Sequence, residues 1–119
     1  DDIAAVVDVV HAASPDHELK VIIETAALGR DQILAACRCC AEAHADFVKT
    51  STGFHPAGGA TVDAVRLLFR HASPLRVKAS GGIRTWTVAK AMIEAGASRI
   101  GTSSGPAIMD EFVTTDEHR

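Results

Sequence analysis

The stretch Glu42-Ala43-His44-Ala45-Asp46-Phe47-Val48-Lys49-Thr50-Ser51-Thr52-Gly53 has an echo further along the chain. It returns as Glu94-Ala95-Gly96-Ala97 leading to Gly101-Thr102-Ser103-Ser104-Gly105. Each copy runs from the end of a helical pattern through a short apolar run into hydroxylated residues and glycine. Two strand–helix units separate the copies, and repetition at that interval suits a (β/α)8 barrel, in which alternate strands occupy equivalent layers.

Outward from this pair, β-rich runs stand at Leu19 to Glu24, Phe47 to Thr50, Arg76 to Lys78 and Arg99 to Thr102. One helical pattern lies between each run and the next. The first carries Ile33, Leu34, Cys37 and Ala41. The second starts at the cap Thr61 and carries Val65, Leu68, Phe69 and Ala72. The third starts at Thr85, carries Val88, Met92 and Ile93, and stops at Gly96. Such alternation requires a parallel sheet. A doubly wound open sheet is the rival, but it usually has a Gly-rich turn after its first strand, and Thr25-Ala26-Ala27-Leu28 is not one. The chain therefore reads as the C-terminal half of a TIM (β/α)8 barrel: residues 1–119 form the last four βα units with one preceding helix, marked by Ile3, Val6, Val7 and Val10. The chain opens at Asp1, inside this amphipathic pattern, and the reading expects further sequence upstream. Asp1 and Asp2 read as residues of a helix N-terminus.

Residues two apart on a strand share a face. In the first run Val21, Ile23 and Thr25 then pack under helices, while Lys20, Ile22 and Glu24 face the other way. The same frame turns Lys49 and Lys78 inward, with Val77 and Ala79 outward. Lysines that end neighbouring parallel strands hold two ammonium groups close, and their repulsion lowers one pKa toward neutrality. A lysine able to lose its proton is an amine nucleophile for a carbonyl carbon. As a purely structural core the arrangement would be costly, because buried charges must be paired. The bland reading places both lysines at the barrel rim against carboxylates such as Glu24.

Composition bounds the rest. The 119 residues are 47% hydrophobic and 23% charged, with net charge −3 and pI near 6.0, so the chain reads as one globular unit with no general attraction for nucleic acid or anionic lipid. With neither a membrane-length apolar run nor a signal-peptide pattern, it reads as cytoplasmic. Cys37, Cys39 and Cys40 have neither zinc-ligand nor disulfide-framework spacing and read as reduced, with Cys37 and Cys40 nearer the buried face. His11, His17, His44, His71 and His118 show no ligand spacing, so no metal is expected. His55 reads as a solvated loop residue.

The blocks Lys20-Val21-Ile22-Ile23-Glu24-Thr25, Ala45 to Gly53, Val77-Lys78-Ala79-Ser80-Gly81-Gly82-Ile83-Arg84-Thr85 and Arg99 to Gly105 together resemble the class I deoxyribose-phosphate aldolases over nearly the whole chain. The resemblance implies a cytoplasmic lyase of deoxyribonucleotide catabolism that cleaves 2-deoxy-D-ribose 5-phosphate reversibly into D-glyceraldehyde 3-phosphate and acetaldehyde, with no cofactor. Lys49 matches the Schiff-base lysine of that family and Lys78 its second lysine, which tunes the first and takes part in proton transfer. Lys20 matches a further polar residue of the site, where it supports the proton network, and Thr52 is a second supporting polar residue. Phosphate would bind at Gly81, Gly82, Gly101, Thr102, Ser103 and Ser104, where backbone N–H groups after the last two strands meet the N-terminus of a short helix. Arg84 would either add charge there or pair on the outer surface.

The chain departs from the family in two ways. Position 54 is Phe where some members carry a lysine, and the family's catalytic aspartate lies on a strand preceding the first helix, which this chain does not contain. The expected partners are the phosphorylated sugar and either an N-terminal half-barrel segment or another copy of this chain. The rivals are another Schiff-base aldolase on the same frame and a non-catalytic half-barrel that binds phosphate or assembles.

Overall fold

A computed structural model describes residues 2–116. Asp1 and His118 lie outside the described residues, and the expectations for them and for the ends of the 1–119 domain go with them. The elements in chain order are α1 (Asp2–Ala13), β1 (Lys20–Ile22), a 3-10 turn (Thr25–Ala27), α2 (Arg30–Glu42), β2 (Phe47–Lys49), α3 (Val62–His71), β3 (Arg76–Ser80), α4 (Trp86–Ala95), β4 (Arg99–Gly101) and α5 (Gly105–Asp116).

The strands pair in parallel in the order β1-β2-β3-β4. A doubly wound sheet reverses its strand order at a switch point, whereas this one advances one strand at a time, as a barrel wall does. The fold is thus a partial (β/α)8 barrel. Backbone pairing runs past the strand ends, with Ile23 N–H donating to the Lys49 carbonyl and Thr25 N–H to that of Thr50, both at 2.9 Å. Between them Glu24 turns into the left-handed region at φ 61°.

The core lies between the sheet's outer face and the helices. Val48, Val65, Leu68 and Val77 are fully buried there, each worth roughly 1.5–3 kcal/mol by removal from water. The Thr61 hydroxyl caps α3 by accepting from Ala64 N–H at 3.1 Å, and the Thr85 hydroxyl caps α4 from Val88 N–H at 3.2 Å. Gly96 ends α4 at φ 124°. Phe69, Val88 and Ile93, read as parts of apolar stripes, are instead exposed. The α4 face that meets the core is Ala89, Met92 and Ala95, small enough for close packing, and a Cβ at Gly96 would sit 2.4 Å from the Phe69 ring. Cys37 and Cys40 are buried free thiols in α2, while Cys39 is exposed. Burial, followed by the neighbouring cysteines, pushes Cys40 up to about 11.

At the N-terminal end of the sheet, Val7 of α1 packs with Ala43 and Ala45, backed by Leu19 and Leu75. Asp46 ties this end together, accepting from Leu19 N–H at 2.7 Å and bonding His11 Nε2 at 2.8 Å. The His11 hydrogen bond, then the Leu19 N–H, holds the Asp46 carboxyl below its usual value against the opposing effect of burial. A depressed folded pKa stabilises above the unfolded value of 3.8, and that stability is lost as pH falls through the folded value. Asp46→Ala should therefore cost about 1 kcal/mol at neutral pH, less than a fully buried charged hydrogen bond because the pair is partly solvated. Urea unfolding of both proteins across pH would show the difference shrinking below the unfolded value.

Candidate active site

The inner face of the sheet carries the polar residues. Lys49 on β2 is in register with Ile22 on β1 and with Lys78 on β3, and Lys78 is in register with Arg99 on β4. The two lysines thus stand side by side on adjacent strands. Lys78 is held below the ordinary lysine value first by burial, then by the Lys20 ammonium, by a hydrogen bond with Lys20, and by the Arg99 guanidinium. Sequence reasoning paired its charge with Lys49. The cations that act on it come instead from β4, where Arg99 is its register neighbour, and from β1, two strands away, because a curved sheet lets the Lys20 side chain converge on its concave side. Nearer the N-terminal end, the Arg76 and Arg99 guanidiniums lie 4.3 and 4.2 Å from the centre of the Phe47 ring, and both pair with Glu18.

At the C-terminal strand ends a cleft of about 360 Å³ opens, lined by Lys49, Thr52, Gly53, Phe54, Ser80, Gly81, Gly82, Ile83, Arg84, Gly101, Thr102 and Ser103. Of the residues predicted from sequence, the cleft gathers Lys49, Thr52, Gly81, Gly82, Gly101, Thr102 and Ser103, with Arg84 beside them. Lys20, Lys78 and Ser104 are not in its lining. Ser104 closes a turn, donating its N–H to the Thr102 hydroxyl at 2.9 Å, and that hydroxyl donates in turn to the Ile83 carbonyl at 2.5 Å. Thr102 therefore spends its side chain on holding the cleft together.

Buried hydroxyls support the cleft floor. Thr50 Oγ1 donates to the Ser80 carbonyl at 3.1 Å and accepts from Ser80 N–H at 3.1 Å, while Ser80 Oγ donates to the Ser51 carbonyl at 2.6 Å. The hydroxylated residues after each lysine thus lock β2 to β3 where the strands end. Above them the loop from β2 to α3 crosses the turn after β3, with Ala60 N–H donating to the carbonyls of Ser80 and Gly81. A Cβ on Gly59 would stand 2.4 Å from the Gly81 carbonyl oxygen. Gly59 escaped the sequence reading, since its neighbour in space is 22 positions away. Gly82, at φ 77° with open space around its Cβ direction, presents bare backbone.

Gly101 has a second role. A Cβ there would lie 3.0 Å from Lys78 Cε and 3.0 Å from Ser80 Cβ, so the Lys78 side chain lies across this glycine. Gly101→Ala should push the Lys78 amine out of its desolvated position and raise its pKa. Acylation of Lys78 at pH 8, mapped by peptide mass, should slow severalfold while the fold persists.

Glu24 stands behind Thr52 of the cleft lining. Its carboxylate accepts from Thr52 N–H and from Thr52 Oγ1, each at 2.7 Å. These bonds, the hydroxyl's first, hold Glu24 below the usual carboxylate value against some burial, with His55 and Lys49 adding their charge. The bland reading of Glu24 as an ion-pair partner for the lysines gives way to this contact with Thr52. His55 is exposed, its Nδ1 accepting from Ala57 N–H at 3.0 Å. Among the described residues no group of three His, Cys, Asp or Glu side chains gathers to hold a metal, and no helix is long and apolar enough to cross a membrane.

Chemically, the cleft brings a primary amine together with the bare glycine backbone of the turn after β3. Comparison with known proteins gives this arrangement a context. The profile of the DeoC/LacD family aldolases matches residues 2–111. The deoxyribose-phosphate aldolase of Kocuria rhizophila is 57% identical over 106 residues, covering 87% of this chain and 49% of that protein. Among solved structures, "QR15, an Aldolase" superposes with a TM-score of 0.84 at 46% identity, covering 98% of this chain and 54% of that one. The tetrameric deoxyribose phosphate aldolase of Aeropyrum pernix gives 0.83 at 34% identity, covering 95% and 48%. The chain spans about half the length of the curated relatives it matches.

Proposed function

Because the chain belongs to the DeoC/LacD family of aldolases, we propose that it is the lysine-bearing half of a deoxyribose-phosphate aldolase barrel. The observation that carries this reading is Lys49 opening into the same cleft as the glycine turns of β3 and β4. The amine of Lys49 adds to the C1 aldehyde of 2-deoxy-D-ribose 5-phosphate and, with loss of water, forms an iminium. When the C3 hydroxyl gives up its proton, the C2–C3 bond breaks and its electron pair enters the iminium as an enamine, releasing D-glyceraldehyde 3-phosphate. Protonation at C2 and hydrolysis then release acetaldehyde and restore Lys49.

The lowered pKa of Lys78 eases the release of its proton and suits it to proton transfer, with Lys20 beside it in support. The phosphate would lie against the backbone of Gly82, Thr102 and Ser103, with the α5 N-terminus and Arg84 supplying positive potential. Phe54 lines the cleft mouth and leaves Arg84 as the cation in the lining beyond Lys49.

A titration that needs no turnover tests this reading. Amide resonances of Gly82, Thr102 and Ser103 should move on adding 2-deoxyribose 5-phosphate, which should bind more tightly than 2-deoxyribose. Equal affinity for the two sugars would remove the phosphate from the cleft.

A further inference from the structure

Glu24 is unusual in two independent respects. It is a non-glycine residue in the left-handed region, φ 61° and ψ 59°, where a Cβ is disfavoured and where strain marks positions that the surrounding structure must enforce. It also spends its whole carboxylate on one residue, taking both the N–H and the hydroxyl of Thr52 at 2.7 Å. Because the Thr52 hydroxyl proton is committed to Glu24, its oxygen faces the next turn and accepts from Phe54 N–H at 3.2 Å. Glu24, Thr52 and Phe54 are thus a chain of hydrogen bonds, and Thr52, Gly53 and Phe54 form one lip of the cleft. Phe54 is 92% exposed, so its own packing does not hold that lip.

We propose that Glu24 is a positioning residue for this lip: its carboxylate, aimed by the left-handed backbone, fixes Thr52 and through it Phe54 at the cleft mouth, which a substrate long enough to extend away from Lys49 meets. The proposal rests on the aldolase reading only for the identity of that substrate. The cations facing the carboxylate are His55 from the same loop and Lys49 from β2. Glycine at position 24 keeps the backbone conformation and removes the carboxylate, so it separates the two features. Aspartate keeps the charge and tolerates the left-handed region better than most residues.

The test combines amide resonances with covalent trapping. In the unaltered chain the Thr52 and Phe54 amides should move together as pH falls below the usual glutamate range and Glu24 takes up its proton. In Glu24→Gly that joint movement should vanish and amide exchange across the lip should quicken. With borohydride present, the 2-deoxyribose 5-phosphate concentration that half-saturates labelling of Lys49 should rise roughly tenfold in Glu24→Gly, the effect of one lost charged hydrogen bond. The value for acetaldehyde, too short to reach the lip, should change far less, and Glu24→Asp should recover part of the loss. A general structural collapse would move both probes together and overturn the proposal. So would lip amides that ignore Glu24 or a half-saturation for the sugar that does not change. If the unaltered chain is not labelled at all, the aldolase reading fails, and the amide measurements alone decide whether Glu24 holds the lip.

Discussion

Adding a polypeptide that carries the first four strands of an aldolase barrel is expected to raise the turnover of this chain by about 10²–10⁴-fold, the usual worth of a positioned general acid–base group. Among the described residues β1 and β4 each pair on one side only, and open parallel edges invite further strands. The charge of the inner face favours one kind of cover over another. It carries Lys20, Lys49, Arg76, Lys78 and Arg99 against Glu18 and Glu24, although the chain as a whole has a net charge of −3. A second copy presenting the same face would bring like charges together, whereas strands bearing inward carboxylates would pair them. The resemblance to the aldolases puts a catalytic aspartate on such a strand. The half of the Kocuria rhizophila protein that this chain does not match is a suitable complement, since the half it does match is 57% identical over 106 residues. Sedimentation and turnover should change together on mixing. A lone monomer as active as the mixture would show that neither the strands nor the aspartate is needed.

Replacing the two lysines should separate their roles. Lys49→Met removes the amine that bonds to substrate, so turnover of the complemented protein should fall to background and no covalent adduct should form. Lys78→Met leaves the nucleophile in place but removes the group suited to proton transfer. Turnover should then drop by about 10²–10⁴-fold while trapping at Lys49 persists. Its folded state should be no less stable, because the change deletes a desolvated cation beside Lys20 and Arg99. Loss of trapping in both variants, with the fold intact by amide spectra, would mean that the two lysines act as one unit.

The parts of this account legible in the sequence are those set by local chemistry. Threonine at 61 and 85 and glycine at 96 marked helix ends because capping depends on a few adjacent atoms. Alternation placed Lys49 and Lys78 on the inner face because a strand's period is two. What depended on distant neighbours did not show. Phe69 reads as core on its own helix but lies outside, over Gly96 of the next. Gly59 matters only because the Gly81 backbone presses against it. Glu24 sits in a β-rich run that gave no sign of a left-handed turn, since the partner that demands it, Thr52, lies 28 positions away. Arg99 acts on Lys78 as its register neighbour on β4, but Lys20 reaches it from β1, two strands away, and only the curvature of the sheet brings that pair together.

The claim on which the rest depends is that Lys49 forms the covalent bond to substrate. Acetaldehyde and borohydride added to the folded chain, followed by peptide mass mapping, test it without any need for turnover. A single reduced ethyl group on Lys49 is the predicted result. A label on Lys78 with Lys49 unmodified, or no label on a chain whose amide spectrum shows it folded, would contradict it.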